Sequence, residues 1–203
     1  ILSAHERQAA LEQELFLGFV DEVLENWAGL ARTAASLGMV DLLSTLAEVA
    51  IENNFTRPEL DHSGVIDIRQ GRHPVIEKLM PPGKFVPNDV RLDPDNNQIM
   101  LITGPNMAGK STVMRQVALI TIMAQMGSFV SAEYARIGLA DRIFTRVGAT
   151  DSLSRGLSTF MVEMKETSEI LKRASKRSLV ILDEIGRGTS TYDGLSIAWA
   201  TAE

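Results

Sequence analysis

The sequence predicts an α/β fold with a mainly parallel sheet, preceded by long α-helices. Three observations carry this expectation. The first fifty-odd residues contain no proline and repeat apolar residues at helical spacing. Two short apolar runs, 98–103 and 178–183, read as strands. Segments of helical length and pattern alternate with them, and that alternation is the mark of a parallel sheet.

Composition agrees with a globular domain. The chain has 203 residues, 45% of them apolar and 23% charged, which disfavours disorder. A net charge of -6 and a pI near 5.2 argue against this segment being, by itself, a basic nucleic-acid-binding surface. The absence of cysteine excludes a disulfide framework, a thiolate zinc site and a cysteine nucleophile. No unbroken apolar run approaches the length of a membrane span, and nothing resembles a signal peptide. A cytoplasmic compartment without membrane association is therefore expected. The start at Ile1 and the end at Glu203, inside an apolar helix-like run, read as a fragment.

The helical region comes first. Val20, Val23, Trp27, Leu30, Ala34 and Leu37 are spaced alternately by three and four residues, a heptad seam. Leu15, Phe16 and Phe19 extend it upstream, and charged residues fall largely off it. Gly38 is a possible break, after which Met39, Leu42, Leu43, Leu46 and Val49 continue a stripe. The pattern fits either a long arm or two ordinary amphipathic helices. A boundary is expected at the turn-like segment 53–58, giving a helical region over 1–56 and a second domain over 57–203.

Val65 to Ile68 reads as a short strand, and Pro81-Pro82-Gly83 as a loop. A polar turn over 93–97 leads into the strand Gln98–Thr103. Ser111 to Met126 reads as a helix, apolar nearly all round and stopped at Gly127, hence buried. Arg142 to Val147 reads as a strand. Phe160 to Ala174 reads as an amphipathic helix, with Phe160, Met161, Met164, Thr167, Ile170, Leu171 and Ala174 on one face. Ser178 to Asp183 is a second apolar strand, continuously apolar as a strand buried on both faces should be.

Gly104-Pro105-Asn106-Met107-Ala108-Gly109-Lys110-Ser111 matches GxxxxGK[ST] at every fixed position. Its glycines let a loop wrap so that backbone N–H groups face phosphate oxygens, and the helix that follows adds its dipole. Lys110 supplies positive charge near the β- and γ-phosphates, and the Ser111 hydroxyl suits Mg²⁺. The run Leu179-Val180-Ile181-Leu182 ends in Asp183-Glu184. A carboxylate at the C-terminal end of such a strand is placed to hold Mg²⁺. Glu184, one residue on, is placed to take a proton from an attacking water.

Taken together, these segments resemble the ATPase domain of the MutS family of DNA mismatch repair proteins. The resemblance rests on Gly104 to Thr112, on Ser158-Thr159-Phe160-Met161-Val162-Glu163-Met164, and on Asp183-Glu184-Ile185-Gly186-Arg187-Gly188-Thr189-Ser190-Thr191-Tyr192-Asp193-Gly194. Arg72-His73-Pro74 and Phe144-Thr145-Arg146-Val147-Gly148-Ala149 match as well. It is close from about Arg57 onward, while the preceding helices look like the end of the family's core and lever region. Ala108 stands where many relatives have glycine, a small-for-small difference.

The resemblance implies a P-loop NTPase of the ABC-ATPase type that works as a homodimer with composite sites. It implies Mg²⁺-dependent ATP hydrolysis, with ATP or ADP on Gly104, Pro105, Asn106, Met107, Ala108, Gly109, Lys110, Ser111 and Thr112. Asn106 would lie near the γ-phosphate or the attacking water, and Phe85 would stack on adenine. Ser158 would contact the nucleotide of the opposite subunit. The catalytic set would be Glu184, Lys110 and Asn106, and the metal set Ser111 and Asp183. His73 matches a family loop but gains no catalytic role and is read as structural. Implied partners are mismatched double-stranded DNA, through domains outside this chain, and a downstream repair factor of the MutL type, in a bacterial nucleoid-associated setting. The alternatives are a paralogue without mismatch recognition, another ABC-type DNA-maintenance ATPase, or a coiled-coil module on a degenerate nucleotide fold. Intact Lys110, Ser111, Asp183 and Glu184 argue against degeneration.

Overall fold

A computed structural model of the chain describes residues 2–105, 107–146, 159–186 and 189–203. Its contacts divide into two compact units, 1–48 and 49–203.

The first unit is almost entirely one element, helix α1 (Leu2–Glu52), about 75 Å long. The helix runs through Gly38 without a break. Nothing lies within 4 Å of the position where a Cβ would sit on Gly18, Gly29 or Gly38, so these glycines cost only their propensity, about 1 kcal/mol each. Val20 and Val23 of the seam are half-buried, whereas Phe16, Phe19, Trp27, Leu30 and Leu37 are exposed. By length and composition alone, α1 would suffice to cross a membrane. This departs from the expectation drawn from unbroken apolar runs, because such a window tolerates charges like Arg32 and Asp41. A helix built to pack against other helices has the same make-up, so the match does not itself point to a membrane.

The second unit is built on two sheets. Strands β1 (Glu59–Asp61), β2 (Ile66–Gly71), β3 (Asn88–Leu92) and β4 (Tyr134–Gly138) form the first, in the order β1-β4-β2-β3. Only β1 and β4 run parallel; β2 is antiparallel to both β3 and β4. Strands β5 (Ile143–Arg146) and β6 (Leu179–Leu182) form a separate parallel pair. The expected P-loop fold of ABC-ATPase type, with its mainly parallel sheet, is therefore not the fold observed. The sheet is mixed, and the long helix precedes it as one element rather than several.

The reason lies in particular segments. Among the described residues Gln98 to Thr103 pairs with no strand, and Leu101 is 85% exposed. An apolar run becomes a central strand only when neighbours supply a ladder on both edges. On β6 the burial alternates, with Leu179 and Ile181 buried and Val180 37% exposed, so this strand is covered on one face rather than both. The strand expected at Val65 to Ile68 is present as β2, but its neighbours β1 and β3 escaped the sequence because they are short and polar at most positions.

The remaining helices are α2 (Pro74–Leu79), α3 (Lys110–Gln125), α4 (Thr159–Arg173) and α5 (Thr191–Ala202). Helix α3 is buried on one face rather than all round, and Ile122 is 47% exposed. It places Val117, Ala118, Ile120 and Ala124 against Ile66, Ile68, Val90, Val130, Ala135, Ile137, Leu179 and Ile181. This cluster ties the strand carrying the acid pair to the helix that follows the phosphate loop. The buried face of α4 is narrower than expected: Thr167 and Ile170 are buried, but Met161 and Leu171 are 60% and 56% exposed.

Arg72-His73-Pro74 is a structural junction. The Arg72 guanidinium donates to the Asn53 and Asn54 carbonyls at 3.2 and 2.8 Å. His73 caps α2: its Nδ1 accepts from the Val75 and Ile76 N–H groups at 3.3 and 3.2 Å. The cap requires an unprotonated Nδ1, and burial pushes the His73 pKa below its ordinary value. A folded pKa below the unfolded one gives stability that is complete above about pH 6.5 and lost as pH falls through the folded value. The protection factors of the α2 amides, corrected for the intrinsic pH dependence of exchange, should therefore fall between about pH 7 and pH 5, by up to about 1 kcal/mol. His73→Asn, which caps without titrating in that range, should flatten the change. An equally steep profile in His73→Asn would refute the cap.

Candidate nucleotide site

The phosphate loop is shaped by backbone geometry that its glycines allow. Gly109 is the N-cap of α3 with φ 91°, ψ 9°, left-handed territory that a side chain rarely adopts. It turns the chain into the helix directly at Lys110. The N-cap Gly109 offers no side-chain cap, and the first turn of α3 itself holds no acidic residue, so the positive end of the helix dipole faces the loop. Met107 also has a positive φ, 66°. The Lys110 ammonium donates to the carbonyls of Gly104 at 2.6 Å and Pro105 at 3.2 Å, placing the cation inside the curve of the loop.

The two expected halves of the site meet. The Ser111 hydroxyl donates to Asp183 Oδ2 at 2.6 Å, across 72 residues of sequence. Asp183 is 8% exposed, and its N–H donates to the Arg146 carbonyl at 2.8 Å, continuing the β5–β6 ladder by one residue. The carboxylate is thereby fixed at the end of the strand, against the first turn of α3. Glu184 follows with φ 55°. A non-glycine residue in this region costs of order 1–3 kcal/mol and is kept where the surroundings dictate it.

Other predicted residues stand apart from this pair. Phe85 is half-buried on the irregular stretch between α2 and β3. Thr112 is half-buried in the first turn of α3, and Ala108 is exposed on the loop. Asn106, Val147 to Ala149, Ser158, Arg187 and Gly188 lie outside the described residues. Among the described residues no group of three or more His, Asp or Glu side chains forms a metal cluster.

Sequence reasoning missed a buried ionic group beside the acid pair. Arg146 on β5 and Glu163 on α4 are 5% and 3% exposed, with Arg146 Nη2 3.7 Å from Glu163 Oε2. The other Glu163 oxygen accepts the Gly186 N–H at 2.5 Å. Gly186 has φ 80°, and a Cβ there would sit 2.6 Å from the Gly194 backbone of α5. The turn after the acid pair is thus held between α4 and α5. The one available signal was Glu163 itself, a carboxylate on the helix face that carries Thr167 and Ile170.

Residues 100–203 match MutS domain V. The chain is 57% identical over 203 residues to the DNA mismatch repair protein MutS of Lachnoclostridium phytofermentans. It is 58% identical to that of Syntrophomonas wolfei over the same length, and 60% identical over 205 residues to that of Myxococcus xanthus. In each comparison all of this chain is covered, against 22%, 24% and 23% of the respective relative. The chain thus spans about a quarter of the length of the curated relatives it matches.

Proposed function

The chain belongs to the MutS family, and from that premise we propose that it is the ATP-binding and ATP-hydrolysing part of a DNA mismatch repair protein. Nucleotide state would be coupled to clamping on mismatched DNA, reached through segments beyond this chain. The observation that carries the reading is the Ser111–Asp183 bond of 2.6 Å. It joins the end of the phosphate loop to the acid pair, the juxtaposition a magnesium nucleotide needs.

The donor set fits that ligand. A hydroxyl and a carboxylate at one point, beside an uncapped helix N-terminus, suit Mg²⁺, which takes one or two protein oxygens and completes its shell with phosphates and water. When bound, the ion neutralises charge on the phosphates. Gly104 to Thr112 hold the phosphates of ATP or ADP, with Asn106 toward the γ-phosphate and Phe85 toward adenine. Lys110 supplies the cation, and Glu184 accepts a proton from the attacking water. Ser158 of a second copy completes each site in a homodimer, and a MutL-type factor acts downstream in the cytoplasm.

Asp183→Asn tests the metal reading in the full-length protein. Losing the charge should raise the Mg²⁺ concentration for half-maximal ATPase activity by roughly 10- to 100-fold. An unchanged Mg²⁺ titration would remove Asp183 from the metal site.

A further inference from the structure

We propose that Glu163 is a positioning residue for hydrolysis, through which helix α4 sets the place of the Glu184 carboxylate. The inference rests on the reading of Glu184 as the base and goes beyond it.

Two charges taken out of water cost several kcal/mol each unless paired and hydrogen-bonded. Arg146 and Glu163 are both nearly inaccessible, and Glu163 divides its oxygens between two tasks. One faces Arg146 Nη2; the other accepts the N–H of Gly186. A carboxylate acceptor makes a stronger backbone bond than a neutral one. Arg146 also lies near Glu166 of the same helix, Nε to Oε2 3.4 Å, so the β5 guanidinium sits in ion-pair range of two α4 carboxylates, although its buried Nε makes no hydrogen bond among the described residues. The carbonyl of that same Arg146 receives the Asp183 N–H. Both ends of the segment Asp183–Gly186 are therefore fixed through Arg146, one by its backbone and one by its side chain acting through Glu163.

Glu184 lies between these two anchors in a left-handed conformation. The flanking bonds help to hold that conformation, which a non-glycine residue keeps only where its surroundings dictate it. On the far side the close approach of Gly186 to Gly194 blocks the turn from relaxing toward α5. A displacement of α4 thus moves Glu163, then Gly186, then the base.

The test uses the full-length protein and steady-state ATPase kinetics. Misplacing a reacting group by about 1 Å costs on the order of 100-fold. Glu163→Ala should lower kcat by roughly 10- to 100-fold while KM for ATP changes less than about threefold. Glu163→Gln, whose amide oxygen still accepts from Gly186, should recover most of the loss. Residues acting in one unit are non-additive, so Glu163→Ala combined with Glu184→Gln should be no slower than Glu184→Gln alone. If Glu163→Ala does not fold, Arg146→Met with Glu163→Met removes the buried pair without stranding a charge and should show the same kcat loss. Wild-type kcat in a folded Glu163→Ala or double-Met protein, beside a slow Glu184→Gln, overturns this proposal alone. So does a further slowing of the combined variant. A wild-type rate for Glu184→Gln removes the base assignment, and the proposal with it.

Discussion

Glu184→Gln in the full-length protein should still bind Mg-ATP but hydrolyse it about 100- to 10,000-fold more slowly, the usual loss when a general base is removed. The substitution keeps the shape and volume of the side chain while removing its charge and its capacity to accept a proton. Two structural facts make it a clean test. Asp183, not Glu184, makes the bond to Ser111, so the proposed metal contact survives. The left-handed backbone at Glu184 is imposed by its neighbours and is available to glutamine on the same terms. Single-turnover quench-flow separates binding from chemistry. The expected record is a normal binding phase followed by a slow cleavage phase. A wild-type cleavage rate would show that another group takes the proton.

The site was legible in the sequence because its chemistry demands particular residue types at fixed spacing. Gly109 has to enter α3 in a left-handed conformation, and Lys110 and Ser111 follow it directly. Asp183 was legible because it ends the apolar run Leu179 to Leu182, which forms a strand with Leu179 and Ile181 buried. Helices α3 and α4 and the strand pair β5–β6 follow from local periodicity.

What stayed hidden depends on contacts far apart in the chain. The antiparallel pairing of β2 with β3 and β4 is a matter of partner choice, which short strands do not announce. Gln98 to Thr103 has the composition of a buried strand, but an unpaired edge leaves Leu101 in solvent. Gly38 looked like a break, and at an open helix position it is a small cost. The pairing of Glu163 with Arg146, 17 residues earlier in the chain, has no local signature.

The central claim is that the loop 104–111 holds the phosphates of a magnesium nucleotide. Lys110 carries the largest single share of that binding in the account. Its ammonium sits inside the loop on the Gly104 and Pro105 carbonyls, where it can turn to an arriving phosphate without rearranging the backbone. A hydrogen bond to a charged group is worth roughly 1.5–3 kcal/mol, so its removal should weaken binding by about 10- to 100-fold. The direct measurement is calorimetric titration of Mg-ATP into the full-length protein and its Lys110→Ala variant, with matched thermal unfolding to verify the fold. The account predicts a saturable heat for wild type and a Kd raised at least about tenfold in the variant. Equal affinities in two folded proteins would contradict it.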